Sequence, residues 1–379
     1  MQTLRVSIIL AIGCLLLPAS GQQLTWQIEV IDAMGGGKYP AMQVDKLGNV
    51  HAGYLSEGQH ELRYAFWDRH LNRWFTMKVD DHCGGFVSMV LDSQQHPHIS
   101  YPTWTGQLRY AHFDGTAWKV ESIPVPSKMI EYYTSITLDS KDKPAISYYE
   151  VLKKASADFA LHLRVVKFNG QYWELSTVDT TPGSGKFNAM SPGRDDSMHM
   201  AYSNVKVENA SLRYARWNGT SWQPRILEGA GAPLDAHSVN ITVGTEDIPH
   251  ITYTSAGRYI KYATIRNGKW QLEAVDVIGK ESFPDRNGIA LDEAGNPYIS
   301  YYDANSGTLK VAHREKGKWF AETVDKDFAG FTPALQISAG EIVILYYDSG
   351  TDSLKCARRS LQQDGGAVTA PRVDRQAGL

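Results

Sequence analysis

The sequence predicts an all-β protein, a single seven-bladed β-propeller whose blades are four-stranded antiparallel sheets. A string ending in tyrosine recurs seven times, a Leu- or Ile-basic pair follows each tyrosine, and one tryptophan accompanies each pair. The tyrosines are Tyr54, Tyr101, Tyr148, Tyr202, Tyr253, Tyr301 and Tyr346. Their spacings are 47, 47, 54, 51, 48 and 45 residues, which is the usual length of a propeller blade.

Each repeat contains four short runs rich in β-branched and aromatic residues, separated by Gly, Asn, Asp and Pro. This pattern is typical of strands, not helices. We name the predicted strands A to D from the central channel outward: A ends at residues such as Asp45, B carries the tyrosine, C the basic pair and D the tryptophan. Asn-Gly and Asp-Gly pairs before several tryptophans, such as Asn267-Gly268, favour tight C–D turns.

The first tryptophan, Trp26, precedes any A strand, whereas the last repeat has no tryptophan of its own. We therefore predict that the N-terminal strand completes the seventh blade and closes the ring. Such closure removes the free sheet edges that invite aggregation. The predicted propeller covers residues 22–359.

The two ends of the chain lack the repeat pattern. Residues 1–21 predict a signal peptide: Arg5 precedes an apolar run from Val6 to Leu17, and small residues follow up to Gly21. We therefore expect a secreted protein, extracellular or periplasmic, that is free of the membrane once the signal is removed. A lipoprotein anchored through Cys14 is the minor alternative. Residues 360–379 predict a disordered tail.

The composition excludes some partners. The formal net charge is −3, so no basic excess points to nucleic acid. Cys83 and Cys356 fall in non-adjacent repeats, and we expect both to be unpaired. We further expect a monomer without a metal or cofactor. The sequons at Asn209, Asn218 and Asn240 carry glycans only if the source organism glycosylates its proteins.

The motif D-x-x-G-N-x-x-I-S-Y, present as DEAGNPYISYYD, resembles the repeats of the sialidase-like and BNR-like propeller families and is similar to NHL-type repeats. The resemblance covers nearly the whole chain after residue 21 and implies the propeller fold. The sequence departs from those families because it contains no full Asp-box and no arginine set that matches the carboxylate clamp of sialidases. Some polysaccharide lyases use a seven-bladed scaffold with His, Tyr and Arg, and the DDHCGG string around His82 is a partial match to them. A shared fold does not itself imply an activity.

Two charged positions repeat. The second position of strand C is basic in every blade: Arg63, Arg109, Arg164, Arg213, Lys261, Lys310 and Lys355. The end of strand D is acidic in six blades, and Pro124 replaces the acid in the second: Asp32, Asp80, Asp179, Glu228, Asp276 and Asp325. We predict a cross-strand ion pair within each blade. The alternative is a ring of cations that binds an anionic polymer.

Repeated aromatic and imidazole side chains also predict packing. Strand B carries a histidine three residues before the tyrosine in four blades: His51, His98, His199 and His250. A metal site is the alternative for these histidines, but no set with zinc spacing occurs. We expect the tryptophans to fill the space between blades.

Irregular D–A and B–C loops predict the functional face, because binding residues concentrate on loops over a rigid scaffold. The longest of these loops lie at blades three to six, so we expect the site off-centre over those blades. At the predicted channel mouth on that face, the rim consists of Tyr39, Phe86, Tyr133, Phe187, His237, Arg286 and Phe331. The ends of strand B add acids beside tyrosines: Tyr149-Glu150, Tyr302-Asp303 and Tyr347-Asp348. The candidate ligand-binding residues are Tyr39, Phe86, Tyr133, Phe187, Arg286, Tyr302 and Asp348.

Three functions fit this sequence. The first is a secreted module that binds glycan or another extracellular polymer through the aromatic rim. The second is a glycan-active hydrolase or lyase on the same face, since acids beside tyrosines can serve as general acid and base. Its candidate catalytic residues are Glu150, Asp303, His237 and Arg286, with Tyr133. The third is a scaffold that binds a protein partner.

Overall fold

The computed structural model describes residues 25–33, 35–126, 129–153, 159–206, 210–229, 236–279 and 287–361. The predicted signal peptide, residues 362–379 of the predicted tail, Arg286 and Asn209 lie outside these residues. The described part of the chain is built from strands, which we number β1 to β28 in chain order, and from short 3₁₀ turns such as Glu57–Gln59.

The strands follow the predicted repeats. Blades one to three contain β2 (Gly36–Val44), β3 (Val50–Ser56), β4 (Glu61–Asp68), β5 (Arg73–Asp80), β6 (Ser88–Leu91), β7 (Pro97–Pro102), β8 (Leu108–Phe113), β9 (Trp118–Ser122), β10 (Ile130–Leu138), β11 (Pro144–Lys153), β12 (Phe159–Phe168) and β13 (Trp173–Asp179). Blades four and five contain β14 (Ser184–Pro192), β15 (Met198–Asn204), β16 (Ser211–Trp217), β17 (Trp222–Glu228), β18 (Ala236–Val243), β19 (Pro249–Ser255), β20 (Tyr259–Arg266) and β21 (Lys269–Val277). Blades six and seven contain β22 (Gly288–Leu291), β23 (Pro297–Asp303), β24 (Thr308–Glu315), β25 (Lys318–Asp325), β26 (Ala329–Ser338), β27 (Glu341–Asp348), β28 (Ser353–Ser360) and β1 (Gln27–Asp32).

The seven sheets form the predicted ring of four-stranded antiparallel blades. Six sheets run in simple chain order, and the seventh has the order β1-β28-β27-β26. In that sheet Gln27 lies opposite Arg358 and Asp32 opposite Leu354. The N-terminal strand therefore completes the last blade, which confirms the predicted closure.

The aspartate that follows strand A builds the A–B turn. Oδ1 of Asp45 accepts hydrogen bonds from the backbone N–H groups of Leu47 and Asn49, both at 2.8 Å. Oδ1 of Asp292 accepts the same pair from Ala294 and Asn296 at 3.0 and 2.7 Å. An aspartate that binds backbone N–H groups in this way fixes a turn. The D-x-x-G-N motif is thus explained by turn chemistry.

Acids at the end of strand D join neighbouring blades, so the prediction of an ion pair within each blade is wrong. Tyr54 Oη of blade one donates to Asp32 Oδ2 of blade seven at 2.7 Å, and Arg63 Nε lies 3.2 Å from the same oxygen. We call this arrangement the inter-blade clamp: the strand-B tyrosine and strand-C base of one blade hold the strand-D acid of the preceding blade. The other clamps are Tyr101–Arg109–Asp80, Tyr202–Arg213–Asp179, Tyr253–Lys261–Glu228, Tyr301–Lys310–Asp276 and Tyr346–Lys355–Asp325.

A β-bulge redirects each acid toward its neighbour. In blade one, Leu62 lies opposite Asp80, yet the next residue, Arg63, lies opposite Lys78, so one residue of β5 is extra. A bulge of this kind turns the end of a strand and re-aims its side chains. Sequence spacing alone did not reveal the bulge, and a regular hairpin would have placed base and acid within one blade.

The tryptophans of strand D pack between blades, as predicted. Trp118 of blade two meets the ring of Tyr64 in blade one edge-on, with ring centroids 5.1 Å apart. The pair Trp270 and Tyr214 repeats this contact between blades five and four at 5.0 Å. Edge-to-face aromatic pairs at such distances are favourable. The tyrosine of strand C and the tryptophan of the next blade therefore form a second inter-blade contact.

The strand-B histidines form hydrogen bonds with the strand-C tyrosines. Nδ1 of His51 lies 2.6 Å from Tyr64 Oη, and Nδ1 of His199 lies 2.7 Å from Tyr214 Oη. Burial lowers the pKa of these histidines, while a nearby aspartate partly opposes that effect. Within the described ranges, no group of three or more His, Cys, Asp or Glu side chains is placed to hold a metal ion.

His250 gives a testable pH dependence. Burial, with a smaller contribution from Arg266, lowers the pKa of His250 to about 4 from 6.5. The unfolded chain therefore binds this proton first as pH falls below 6.5, and the folded state loses stability between pH 6.5 and 4. At pH 5 the cost is about 2 kcal/mol. We expect His250→Gln to reduce the loss of unfolding free energy between pH 7 and 5 by that amount in denaturant titrations. An unchanged pH slope would contradict this role.

Cys83 and Cys356 are free and buried, as predicted. They lie in different core clusters, in blades one to two and in blades seven to one. Burial raises the pKa of both thiols to about 12, so neither is a reactive thiolate at neutral pH.

Candidate functional site

The propeller has two faces. The A–B and C–D turns form one, and the D–A and B–C connections form the other, which we call the loop face. The predicted rim residues that the structure describes lie where strand A enters from the loop face, and Arg286 lies outside the described ranges. Below them, the central channel is a cavity of 380 Å³ whose lining comes from the A strands of all seven blades and includes no charged residue.

The predicted rim forms a continuous series of rings across five blades. Tyr39 and Phe86 have ring centroids 4.0 Å apart, and Phe86 and Tyr133 stack at 4.6 Å. Tyr133 then meets Phe187 at 4.7 Å, and Phe187 meets His237 at 5.0 Å. Phe86, Tyr133 and Phe187 are buried at 4, 5 and 4% exposure. The rim is thus a packed floor beneath the loop face, and its role as a ligand contact stays a prediction.

The acids at the end of strand B bind within their own blades. Glu150 Oε2 accepts from Arg164 Nε at 2.9 Å. Asp303 lies 2.7 Å from Lys310 Nζ and accepts from Asn305 N at 3.0 Å and Ser306 Oγ at 2.8 Å.

Asp348 makes equivalent contacts with Lys355 and with the backbone N–H of Gly350. Burial raises the pKa of Asp303 and Asp348, but hydrogen bonds and the lysine charge outweigh it, so each pKa lies below its ordinary value. Such carboxylates stay ionised and suit turn formation better than general-acid chemistry.

Tyr302 stacks on the rim residue Phe331, with ring centroids 4.2 Å apart. Tyr302 is buried at 8% exposure. The described candidates are thus dispersed: Glu150 belongs to blade three, His237 to blade five and Asp303 to blade six.

Exposed aromatic side chains lie on the loop face over blades one to three. Trp104 and Tyr132 are each 61% exposed, and Met129 is 51% exposed. The exposed ring of His60 lies beside Trp104, with centroids 6.0 Å apart. We call these four residues the aromatic patch. Exposed apolar side chains that cluster are typical of binding surfaces.

Two adjacent glycines hold the patch on a close-packed backbone. A Cβ at Gly84 would lie 2.2 Å from the backbone nitrogen of Trp104, and one at Gly85 would lie 2.8 Å from the carbonyl oxygen of Tyr132. No side chain fits at such distances, so only glycine allows this approach. The backbone N–H of Gly84 donates to Pro102 O at 2.9 Å, and that of Phe86 to Tyr132 O at 2.9 Å. Trp104 and Tyr132 are therefore mounted on a rigid base.

His82 lies beside the clamp of the second blade. Its ring Nδ1 is 3.2 Å from Arg109 Nη1 and 3.4 Å from Asp80 Oδ1. Tyr101 Oη donates to Asp80 Oδ2 at 2.7 Å. The side chain of His82 is 55% exposed, so the structure brings His, Arg and Tyr together around one carboxylate.

Sequence reasoning missed the patch, although one signal for it was present. Ten tryptophans occur in the chain, of which seven belong to the repeat. Trp67 and Trp217 end strand C and pack on the tryptophan that follows, at 5.4 and 5.6 Å. Trp104 is left over, in a B–C connection outside the repeat. A tryptophan without a role in the repeat is a candidate for ligand binding.

A second cavity, of 560 Å³, opens between blades three and four on the opposite face. Asp139, Asp195, Asp196 and Lys167 are among its lining residues. Asp196 is already bound by the backbone N–H and hydroxyl of Ser140, at 2.7 and 3.0 Å.

In the described part of the chain, no helix is long and apolar enough to cross a membrane.

No protein-family model matches the chain, and no curated protein matches its sequence. Solved structures do resemble it. The polysaccharide lyase Uly1 is 9% identical, with 85% of this chain and 90% of that chain covered and a TM-score of 0.56. AofleA from Arthrobotrys oligospora is 14% identical, with 79% and 90% covered and a TM-score of 0.53. The Aleuria aurantia lectin, solved with Fucα1-6GlcNAc, is 12% identical, with 78% and 98% covered and a TM-score of 0.52.

The Aleuria aurantia lectin is a six-bladed propeller, whereas this chain has seven blades. At such identities the likeness shows the fold alone. The resemblance to the sialidase-like and BNR-like families stays a prediction. The chain is similar in fold to propellers that include lectins and a polysaccharide lyase.

Proposed function

We propose that this protein is a secreted glycan-binding propeller whose ligand first contacts the aromatic patch on the loop face. The observation that carries the proposal is the pair of exposed rings, Trp104 and Tyr132, each 61% exposed. The predicted signal peptide supports secretion. The rim of Tyr39, Phe86 and Tyr133 lies at the mouth of the same face and is the proposed floor of the site.

The chemistry of the patch suits a sugar. One face of a pyranose ring presents C–H groups, and a flat aromatic ring covers that face while the hydroxyl groups stay in water. Tyrosine and tryptophan combine an apolar ring with one polar group, which fits such a ligand. Because Gly84 and Gly85 pack directly beneath the patch, its backbone is held in place and little loop entropy is lost on binding.

The fold comparisons support the same class of ligand. The lectin from Aleuria aurantia was solved with a fucosylated disaccharide, and the SapL1 lectin with α-methyl fucoside. The lyase neighbour also acts on polysaccharide, as its name states. These likenesses favour a glycan-binding or glycan-active role for the propeller. The identity of the sugar must be inferred from the residues of this chain.

A glycan-active enzyme on the same face is the second candidate, favoured by the lyase neighbour and by the cluster of His82, Arg109 and Tyr101. The earlier candidates Glu150 and Asp303 are held in ion pairs at 2.9 and 2.7 Å, which weakens that version of the hypothesis. Incubation with bound polysaccharides, followed by assays for reducing ends and for unsaturated products, separates an enzyme from a lectin.

Binding to a glycan array, followed by titration calorimetry on the best ligand, tests the proposal. We expect Trp104→Ala to weaken binding by about tenfold or more, which corresponds to about 1.4 kcal/mol, and Tyr132→Ala to act similarly. Tyr172→Ala is the matched control, because Tyr172 is 59% exposed in a C–D turn on the opposite face. Equal binding by all three variants would refute the assigned surface, and silence across arrays and polysaccharides would refute the glycan function.

A further inference from the structure

The cavity of 560 Å³ between blades three and four lies at their A–B turns, on the face opposite the loop face. Its apolar wall consists of Leu138, Ala145, Pro192 and Met198. The exposed residues Ser140, Asp195 and Asp196 also line it, so the cavity is open to solvent. Its volume lies within the range of small-molecule sites, about 300–1,000 Å³.

The cavity exists because blade three lacks a side-chain pair that other blades have. In four blades a strand-B histidine binds a strand-C tyrosine in the space before the next blade: His51–Tyr64, His98–Tyr110, His199–Tyr214 and His250–Tyr262. The same two positions in blade three are Ala145 and Val165. Blade six fills this space with Tyr298, which stacks on His313 at 5.4 Å. Blade seven fills it with Arg358, whose guanidinium lies over a tryptophan of blade one.

The boundary between blades four and five shows which groups blade three lacks. There, Asp247 has the turn position that Asp196 has between blades three and four. Oδ1 of Asp247 accepts from the backbone N–H of Arg194 at 2.8 Å and lies 3.1 Å from His199 Nε2. Arg216 binds the other oxygen, Oδ2. Asp247 therefore has two basic side chains of blade four as partners.

Asp196 has no such partners. Blade three has Ala145 and Lys167 at the positions of the histidine and the arginine, and Lys167 Nζ lies 3.1 Å from Asp139 Oδ2 instead. The oxygens of Asp196 accept from neutral groups, the backbone N–H and the hydroxyl of Ser140, at 2.7 and 3.0 Å. Among the described residues, Asp196 therefore has no cation beside it.

The charges that line the cavity do not balance. Three carboxylates and one lysine line it, which leaves a net charge of −2. Because Lys167 compensates Asp139, the two uncompensated carboxylates are those of Asp195 and Asp196. Asp195 is exposed and makes no ion pair within the described ranges.

A buried hydroxyl also points to this side of blade three. Thr137 is 1% exposed, and its Oγ1 has no hydrogen-bond partner in the part of the chain that the structure describes. Thr137 lies opposite the cavity residue Ala145, and such cross-strand neighbours share a face of the sheet. Ser135, two residues earlier and thus on the same face, accepts at Oγ from the N–H of Met190 in blade four at 2.9 Å. The hydroxyl of Thr137 therefore faces the boundary that contains the cavity, and a buried hydroxyl without a partner is unfavourable.

We propose that this cavity binds a small aliphatic diamine, with its ammonium groups at Asp195 and Asp196 and its carbon chain against Leu138 and Met198. Two positive charges match the two uncompensated carboxylates. An ammonium group has three donors, and hydrogen bonds between ionised groups are the stronger ones. Each oxygen of Asp196 holds one neutral donor and can accept another, as Oδ1 of Asp247 does.

Calorimetric titration with 1,4-diaminobutane, butylamine and 1,4-butanediol at neutral pH and low salt tests this inference. We expect the diamine to bind about tenfold more tightly than butylamine, the diol not to bind, and added salt to weaken binding. Asp195→Asn should weaken diamine binding about tenfold. Glu246→Gln is the matched control, because Glu246 is exposed at the same turn position of blade five, and it should leave binding unchanged.

Ala145→His tests the location, since it introduces the histidine that four other blades have at this position. It should fill the cavity and abolish diamine binding without lowering Tm. If this variant fails to fold, the comparison of Asp195→Asn with Glu246→Gln decides.

Several results would overturn the inference. Diol binding as tight as that of the diamine would refute a cationic ligand, and full affinity in a folded Ala145→His variant would refute the cavity as the site. Equal losses in Asp195→Asn and Glu246→Gln would assign the effect to general surface charge. If no amine binds, the inference fails while the glycan function stands. Trp104→Ala should leave diamine binding unchanged, because the aromatic patch lies on the other face.

Discussion

Replacing Asp179 by alanine is expected to lower the free energy of unfolding by about 3–5 kcal/mol. The carboxylate accepts hydrogen bonds from Tyr202 Oη at 2.8 Å and Arg213 Nη1 at 2.9 Å. All three side chains are buried, with Arg213 at 8% exposure. Burial raises the pKa of Asp179, but hydrogen bonds from Thr181 and Tyr202 and the charge of Arg213 outweigh it, so the pKa lies below its ordinary value. Without the acid, a buried guanidinium has no opposite charge.

Urea or guanidinium titration at neutral pH measures this effect. The natural control compares two phenylalanine substitutions at the same position of strand B. Tyr202→Phe should cost about 1–2 kcal/mol because it removes a hydrogen bond to a charged group. Tyr148→Phe should cost far less, because the hydroxyl of Tyr148 has no partner among the described residues. Equal costs for the two substitutions would contradict the clamp as a source of stability.

Deleting the closing strand is expected to have the largest effect. A chain that starts at residue 33 lacks β1, so β28 becomes an exposed edge of the seventh blade. It also loses the clamp between Asp32 and Tyr54, at 2.7 Å, and the ring of Trp26 beneath the Arg359 guanidinium, at 4.4 Å. A domain stable by about 5–15 kcal/mol does not withstand the loss of a strand and an inter-blade clamp. We expect aggregation through the open edge.

Size-exclusion chromatography and circular dichroism measure this outcome. A chain that ends at residue 361 is the control, and we expect its Tm to match that of the full chain. A synthetic peptide spanning residues 24–33 should restore a folded monomer by strand addition, whereas the same peptide with Asp32→Ala should restore it less well. A chain without β1 that is monomeric and unfolds at the original Tm would contradict the closure.

The sevenfold repeat could be predicted from the sequence because the same residue type fills the same structural role in each blade. Tyr54 and its six equivalents are buried in strand B, and Trp26, without a preceding A strand, indicated the closure. Seven repetitions of one pattern leave little ambiguity in fold. The A–B turns could also be predicted, since an aspartate that binds two backbone N–H groups is a local feature.

The sequence did not reveal that the ion pairs join neighbouring blades. Regular spacing would place Asp80 opposite Glu61, on the same face of the blade as Arg63, but a bulge shifts Asp80 opposite Leu62, and its carboxylate binds Tyr101 and Arg109 of the next blade. Bulges depend on backbone geometry across two strands, which spacing does not encode. The error mattered, because only pairing between blades shows that Pro124 leaves the boundary between blades two and three without a clamp acid.

The sequence predicted part of the geometry at the candidate site, while the binding role of its residues stays a prediction. The loop face follows from the lengths of its connections, and the rim of Tyr39, Phe86 and Tyr133 is continuous as its register implied. Residue type alone could not tell which rings are exposed. Phe86 is buried at 4%, whereas Trp104 is 61% exposed, and this difference depends on tertiary packing against Gly84.

The location of a bound glycan tests the central claim most directly. A crystal structure of the protein with its best array ligand should show a sugar ring against Trp104 and Tyr132 on the loop face. The result that would contradict the account is a sugar seated elsewhere, in the 560 Å³ cavity between blades three and four on the opposite face, with Trp104 untouched.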